Sequence, residues 1–347
     1  VADNKEEIYK TVSALIDSWL ENHNDETFDL DYICRHLEIS SREGRTQVSN
    51  KLNYLVKKKF LSKHNHIYRY INKVTKGIEW VDIKDSYLGF AFPSNHQESD
   101  LTYFSFANSV RLSEGSLVVI AGVGNGGKSV TCRNILWDNM HNYPTLYMSS
   151  ETTGASFRRY AQNMTWQNPL GTDGKPVFTL IERYRDFQDV VQDGHLNIID
   201  WLDIESGEYY RIGQELKEIK EQNPHGITVV SIQKDPQKEL GRGATFGKEL
   251  ASVYLTIDYD SEHDLRRMKV VKAKEWVGNI DPNNKIFGFN IVNFGSQFAN
   301  IREIKKCKHC YGSGRSHGAD CVDCNGVGWI DVYSVRKSAE EEMGIEF

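Results

Sequence analysis

The 347-residue chain has no apolar run approaching the ~20 residues that a membrane-spanning helix requires, so no membrane contact is expected. Its opening, VADNKEEIYK, is polar and acidic and lacks the order of a secretory signal, which sets the expectation of a cytoplasmic protein. No segment repeats at a fixed period apart from one pair of cysteine motifs. Strong net charge is also missing: the formal value is -6, and 39% hydrophobic with 26% charged residues describes a soluble globular chain long enough for two or three domains. Cysteine is sparse. Of six residues, Cys34 and Cys132 stand alone in apolar segments, and the other four fall within eighteen positions as two CxxC pairs. Without a secretion signal, that grouping favours metal over disulfides.

The small net charge hides a local excess. Between Ser40 and Lys76 there are ten Lys and Arg against one acid, Glu43, a local +9 that points to a polyanionic partner. The same region has helical spacing in KEEIYKTVSALIDSWLE (Ile8, Val12, Leu15, Ile16, Leu20), in LDYICRHLEI, and in SREGRTQVSNKLNYLVKKKF, which opens on serine caps. LSKHNHIYRYI alternates about an Asn-containing turn and predicts a hairpin. Three helices and a hairpin form a winged helix-turn-helix pattern over 1–72. On the third helix Arg42, Arg45, Gln47, Asn50 and Lys51 occupy outer positions suited to base edges, and Lys57, Lys58, Lys59, Lys63 and Arg69 suit phosphates. A winged helix used for protein docking, its lysines merely solvated, is the other reading.

Residues 73–100, with the polar run AFPSNHQESD, read as a linker. From Leu117 onward the apolar runs LVVIAG, TLYMSS, LNIIDWL and ITVVSI are short, rich in β-branched residues and separated by helical stretches. Buried parallel strands alternating with helices predict a doubly wound α/β domain, with SVYLTID and RRMKVVKA extending its sheet. Within it, Gly122 to Ser129 satisfies GxxxxGK[ST], a pattern that a chain of this length matches by chance about 1% of the time. The flanks GSLVVIAG and KSVTCRNILWDNM supply the strand before it and the helix after it. Such a loop turns backbone N–H groups onto phosphate oxygens, and the helix N-terminus adds partial positive charge. The cradle comprises Gly122, Gly124, Asn125, Gly126, Gly127, Lys128, Ser129 and Val130, with Lys128 for the β- and γ-phosphates and Ser129 for Mg²⁺. Asp200 closes a later strand as metal support or as a helix cap. Glu151 sits just past the strand after the P-loop helix, at the edge where open α/β sheets bind ligands, and is placed as general base or as a dipole-favoured helix start. Gln233 closes another strand as a γ-phosphate sensor or an ordinary polar end. The glycine-rich, basic stretch after it is a mobile loop facing a polyanion or a solvated loop.

In order, EGSLVVIAGVGNGGKS, TLYMSSETTGASFRRYA, LNIIDWLDI, VVSIQKD and KVVKAKEWVG resemble the five conserved segments of RecA-like ATPases, and within them the replicative hexameric helicases of the DnaB type. The resemblance spans roughly residues 100 to 295 and implies a RecA-like core over 101–303. It implies Lys128 and Ser129 for ATP and Mg²⁺, Glu151 as base, Asp200 as metal partner, Gln233 as sensor and Lys274 as the family's trans-acting lysine. It further implies a hexameric homo-oligomer with nucleotide between subunits, single-stranded or forked DNA as substrate, and replication proteins as partners. Two departures stand out. Trp276 occupies the place of the arginine finger, whose loss costs ~10³-fold or more in rate. The family's N-terminal helical domain is replaced by the basic module.

CKHCYGSG and CVDCNGVG are two copies of CxxCxGxG, giving a four-thiolate Zn²⁺ site from Cys307, Cys310, Cys321 and Cys324 over 304–332, before a tail at 333–347. They resemble the zinc-binding region of DnaJ chaperones, which has four copies. His309 and His317 are surplus, and with no ligand position open the site is structural. The combined expectation is an ATP-driven DNA motor of the phage- or mobile-element-type replicative helicase kind. The alternatives are a RecA-like recombination ATPase or an ATP-switched loader or regulator with slow turnover.

Overall fold

The computed structural model describes residues 2–23, 27–71, 88–96, 102–203, 209 and 211–332. The predicted tail at 333–347 and most of the predicted linker lie outside the described residues. Two compact units, Val1–Ile83 and Lys84–Phe347, divide the chain. No helix among the described residues is long and apolar enough to cross a membrane.

The first unit contains α1 (Ala2–Asn22), β1 (Thr27–Phe28), α2 (Leu30–His36), α3 (Arg42–Lys57), β2 (Leu61–His64) and β3 (Ile67–Tyr70). The strands form an antiparallel sheet in the order β1-β3-β2. Side chains cap α2 and α3: Asp29 accepts from the Tyr32 amide at 2.6 Å, and Ser41 accepts from the Gly44 amide at 3.1 Å. Each satisfies one of the unpaired donors of a helix N-terminus. The i, i+3, i+4 stripe of α1 meets the inner faces of α2 and α3, burying Ile16, Leu20, Phe28, Ile33, Val48 and Leu52.

The basic third helix differs from its sequence reading at two positions. Lys51 is not on the outer face: it is 8% exposed, and its ammonium donates to Asp17 of α1 at 2.7 Å. Position 51 follows Val48 by three and precedes Leu55 by four, which puts it on the buried stripe. Its stem lies along the core while its head reaches the carboxylate. Arg45 is half-exposed but hydrogen-bonded to Asp31 on α2, so its charge is locally balanced. Arg42, Lys57, Lys58 and Lys59 remain exposed.

The second unit is built on one ten-stranded sheet. Its strands are β4 (Ser116–Gly122), β5 (Thr145–Ser149), β6 (Phe178–Glu182), β7 (Leu196–Leu202), β8 (Ile227–Gln233), β9 (Val253–Asp260), β10 (Leu265–Ala273), β11 (Ile286–Val292), β12 (Gln297–Lys306) and β15 (Trp329–Asp331). The order is β15-β12-β11-β10-β9-β4-β8-β7-β5-β6. From β6 to β9 every pairing is parallel, and from β9 to β15 every pairing is antiparallel. A two-stranded ribbon, β13 (Arg315–Ser316) and β14 (Ala319–Asp320), lies outside this sheet.

Helices cover both faces of the parallel half. Here α4 (Lys128–Asn139) and α5 (Gly154–Ala161) pack on the side of Val118 and Ile120, while α6 (Arg211–Glu221) packs on the side of Leu117, Val119 and Ala121, the face α7 (Ala244–Leu250) also borders. α4 has almost no solvated face, and even Arg133, Asn134 and Asn139 on it are buried. Asn134 donates to Ser296 O at 2.9 Å, and Asn139 exchanges two 2.8 Å bonds with the Ala91 backbone. That exchange, with Phe92 in the core, holds part of the stretch read as linker against the core of the second unit. Phe90 and Phe92 supply the apolar area that a solvated linker would not.

Replacing Lys51 with alanine removes a mostly buried cation and leaves Asp17 without its partner. Amide exchange in α3 should accelerate, by an amount equivalent to about 1 kcal/mol, whereas Lys58→Ala should change it little.

Candidate nucleotide site and cysteine cluster

The glycine loop leaves β4 and enters α4, as its flanks require. Gly127 is the N-cap of α4 with φ +109, a left-handed conformation, and a Cβ there would lie 2.7 Å from Ile291 Cδ1. Gly122 would place a Cβ 2.7 Å from Lys128 Cγ. Gly127 needs glycine for its left-handed backbone, and Gly122, in an ordinary strand conformation, needs it for space.

Strand order assembles the rest. β8 lies between β4 and β7, so Gly122 is opposite Gln233 and the end of β7 is one strand further. β5 lies beyond β7, with Ser149 opposite Asp200. An irregularity between Ile199 and Leu202 interrupts the β7–β8 ladder where Asp200 sits. Such an interruption re-aims a side chain. Lys128, Ser129, Glu151, Asp200 and Gln233 are thus gathered at the C-terminal edge of the parallel strands, beside a cleft of ≈ 610 Å³.

The Lys128 ammonium donates to Gly122 O at 3.1 Å, Val123 O at 3.1 Å and Gln233 Oε1 at 3.0 Å, and lies over the Trp201 ring at 5.8 Å. Burial lowers its pKa from the ordinary lysine value, against the opposing pull of the Asp200 and Glu151 charges. Asp200 is buried and takes hydroxyl donors on both oxygens. Ser129 Oγ donates to Oδ1 at 2.9 Å and Ser231 Oγ at 3.2 Å, while the Tyr147 phenol donates to Oδ2 at 2.7 Å. Burial first, then the Asp200 charge, pushes Tyr147 well above the usual tyrosine range, so it stays a neutral donor. Glu151 lines the same cleft, just beyond β5.

Tyr147, Ser231 and the outer wall of the cleft were not anticipated. Arg133 is buried beneath the cleft and stacks on Tyr160 at 3.9 Å, with its Nε lacking a hydrogen-bond partner. Tyr259, Arg266, Ile291 and Phe294 complete the lining, and Phe294 is 89% exposed. A phenol and a hydroxyl inside apolar strand runs were the available signals for Tyr147 and Ser231, because buried hydroxyls need partners.

Lys274 is not brought to this cleft. It follows Ala273, which pairs with Val253 at the start of β9, and Val253 pairs with Val118 near the start of β4. The opposite sheet edge is some four strand residues, roughly 13 Å, from the glycine loop. Lys274 instead lines a small polar depression with Arg111 and Lys220. Trp276 lies on the same edge and is 38% exposed.

The four C-terminal cysteines are buried together, their Sγ atoms all within 4.8 Å of one another. Cys307 and Cys321 are 3.8 Å apart at sulfur, and Cys310 and Cys324 are 3.6 Å apart. Four thiolates at the ~2.3 Å Zn–S distance of a tetrahedron would be about 3.8 Å apart, so the donor set fits an ion such as Zn²⁺. Gly328 N–H donates to Cys324 Sγ at 3.1 Å. Burial raises the Cys310 pKa, but hydrogen bonds from the Gly312 and Gly314 amides, together with those of the Cys324 and Cys307 thiols, bring it down to about 6. His309 is drawn to Ser316 at 2.9 Å and to Asp323 at 3.3 Å, away from the sulfurs.

No family model matches the chain, and no curated protein does. Among solved structures it is similar to one described as the crystal structure of the RadB recombinase, at 16% identity and a TM-score of 0.39, over 55% of this chain and 92% of that one.

Replacing Tyr147 with phenylalanine keeps the ring and removes one donor from Asp200. Titration of Mg²⁺ against a fluorescent nucleotide should show the metal requirement rising about tenfold, the value of one hydrogen bond to a charged group, with Mg²⁺-free binding unchanged.

Proposed function

We propose that the chain is a RecA-like ATPase that acts on DNA, of the replicative helicase kind. The observation that carries the nucleotide reading is the contact of Ser129 Oγ with Asp200 at 2.9 Å beside Lys128, at a glycine loop where a Cβ would clash. Lys128 holds three protein oxygens, and nucleotide binding exchanges these carbonyl and amide acceptors for phosphate. Ser129 and Asp200 are the oxygen ligands and support for Mg²⁺, which would neutralise phosphate charge. Glu151 takes the proton of an attacking water, and Gln233, freed from Lys128, reports the terminal phosphate to the loop that begins at Lys234. The strand order, with β8 between the glycine-loop strand and the Asp200 strand, supports the RecA-like assignment.

The helix–strand–helix–helix–strand–strand order of the first unit supports a winged-helix head. Its DNA contact then rests on Arg42, Lys57 and Lys58, with Arg45 as a base reader only if it leaves Asp31. Lys274 serves a neighbouring copy's nucleotide in a ring. The charge missing at Trp276 favours a second reading, an ATP-switched loader or regulator with slow turnover. Zn²⁺ on Cys307, Cys310, Cys321 and Cys324 is a structural ion.

Lys128→Ala should abolish nucleotide binding measured by calorimetry. Glu151→Gln should retain it while hydrolysis falls by about 10² to 10⁴-fold, as loss of a general base does. Forked-duplex separation that requires Glu151 supports the helicase; nucleotide-dependent filaments mark a recombination ATPase, and partner binding with poor turnover marks the loader. Purified protein should carry one Zn²⁺ per chain by atomic absorption, and Cys310→Ser should lose it.

A further inference from the structure

The four-cysteine module is joined to the main sheet as its edge strand. In β15, Trp329 is opposite Lys306, Ile330 opposite Lys305 and Asp331 opposite Ile304 of β12. The Trp329 ring then reaches past its neighbour. The Arg267 guanidinium of β10 lies 5.0 Å from its centroid, although β11 and β12 stand between the two strands. The partner of Arg267 on β11 is Gly288. A Cβ at Gly288 would come within 3.1 Å of Leu265 Cδ1 and 3.2 Å of Ile304 Cδ1, so this stretch of the sheet face has no room for another side chain. Arg267 crosses it to meet the indole.

Arg267 also faces Asp260, at 3.9 Å, at the end of β9, and Asp260 is bound by His263 at 3.0 Å within the β9–β10 turn. The neighbouring cross-strand pair, Tyr259 and Arg266, points to the other face. Their side chains stack at 4.2 Å, and Asp264 accepts from both, at 3.2 Å from the phenol and 2.9 Å from the guanidinium. Tyr259 and Arg266 line the nucleotide cleft. One face of this hairpin is gripped by the cysteine module, and the other forms a wall of the cleft.

We propose that Trp329 and Arg267 are positioning residues through which the four-cysteine module holds the β9–β10 hairpin, so that metal loading of the cysteines sets the affinity of the cleft for nucleotide. This rests on the nucleotide reading of the cleft. The alternative role for Trp329 is to cover the sheet edge and nothing more. That role predicts no link between the cysteines and Tyr259.

The test uses the full chain in four forms: wild type, Arg267→Ala, Cys310→Ser with metal loss verified, and the double variant. Hydrogen exchange over residues 258–266 reads the hairpin without nucleotide, and a fluorescent ATP analogue reads the cleft. Exchange should accelerate in both single variants. Affinity should fall about fivefold in each, the size of losing one partly desolvated cation–π contact, and the double should fall no further. Unchanged exchange in Arg267→Ala, which keeps its metal, would overturn the proposal, as would losses that add in the double. Should Cys310→Ser fail to fold, Trp329→Leu replaces it with the same expectation. If wild type binds no nucleotide, the cleft reading falls, and the exchange result alone decides whether the module holds the hairpin.

Discussion

A buried carboxylate, Asp200, takes hydroxyl donors from a helix and two strands, and the geometry of the site depends on that arrangement. Removing such a group from water is costly unless its lone pairs are met. Ser129 comes from the helix after the glycine loop, Tyr147 from β5 and Ser231 from β8. Each satisfies Asp200 and is located by it. The neighbouring ammonium of Lys128 adds the countercharge and ties the loop to Gln233. The edge of the cleft beside Lys128 is therefore preorganised by hydrogen bonds that close among protein groups.

The antiparallel half of the sheet gives this arrangement its outer wall. β9 belongs to both halves, parallel to β4 on one side and antiparallel to β10 on the other. Its far end, with the turn to β10, rises beside the cleft. Phe104, Phe287, Phe289 and Phe298 fill the layer beneath with edge-on aromatic contacts, and Phe106 packs against Phe287 at a tilt. Such contacts prefer defined angles and resist sliding. The cysteine module then occupies what would be an open sheet edge. Edge strands otherwise expose unpaired backbone groups, and β15 covers the last three residues of β12, Ile304 to Lys306.

The first unit shows how far charge counting can mislead. The local excess of basic residues is real, but Lys51 is spent inside the unit on Asp17 and Arg45 is occupied by Asp31. Both acids lie outside the window in which the excess was counted. Among the described residues of that window, the exposed basic side chains are Arg42 at the start of α3, Lys57, Lys58 and Lys59 at its end, and Lys63 and Arg69 in the hairpin, and Lys58 rests 5.8 Å from the Tyr54 ring.

Local patterns determined the elements and the chemistry carried by neighbours in the chain. The glycine loop, Gln233 at the end of β8, Glu151 just beyond β5, most of the helical stripes of the first unit and the clustering of four cysteines were legible, whereas β7 runs two residues past Asp200 and Leu15 of the α1 stripe is exposed. Each depends on spacing within a few residues, where backbone geometry alone decides what faces what. Partners far apart in the chain were not legible. Nothing local pairs Tyr147 with Asp200, buries Lys51 against Asp17, sends Lys274 to the edge opposite the glycine loop, or lays Arg267 across Gly288 onto Trp329. Those choices belong to strand order and register, which depend on how whole faces pack, and tertiary structure alone made them.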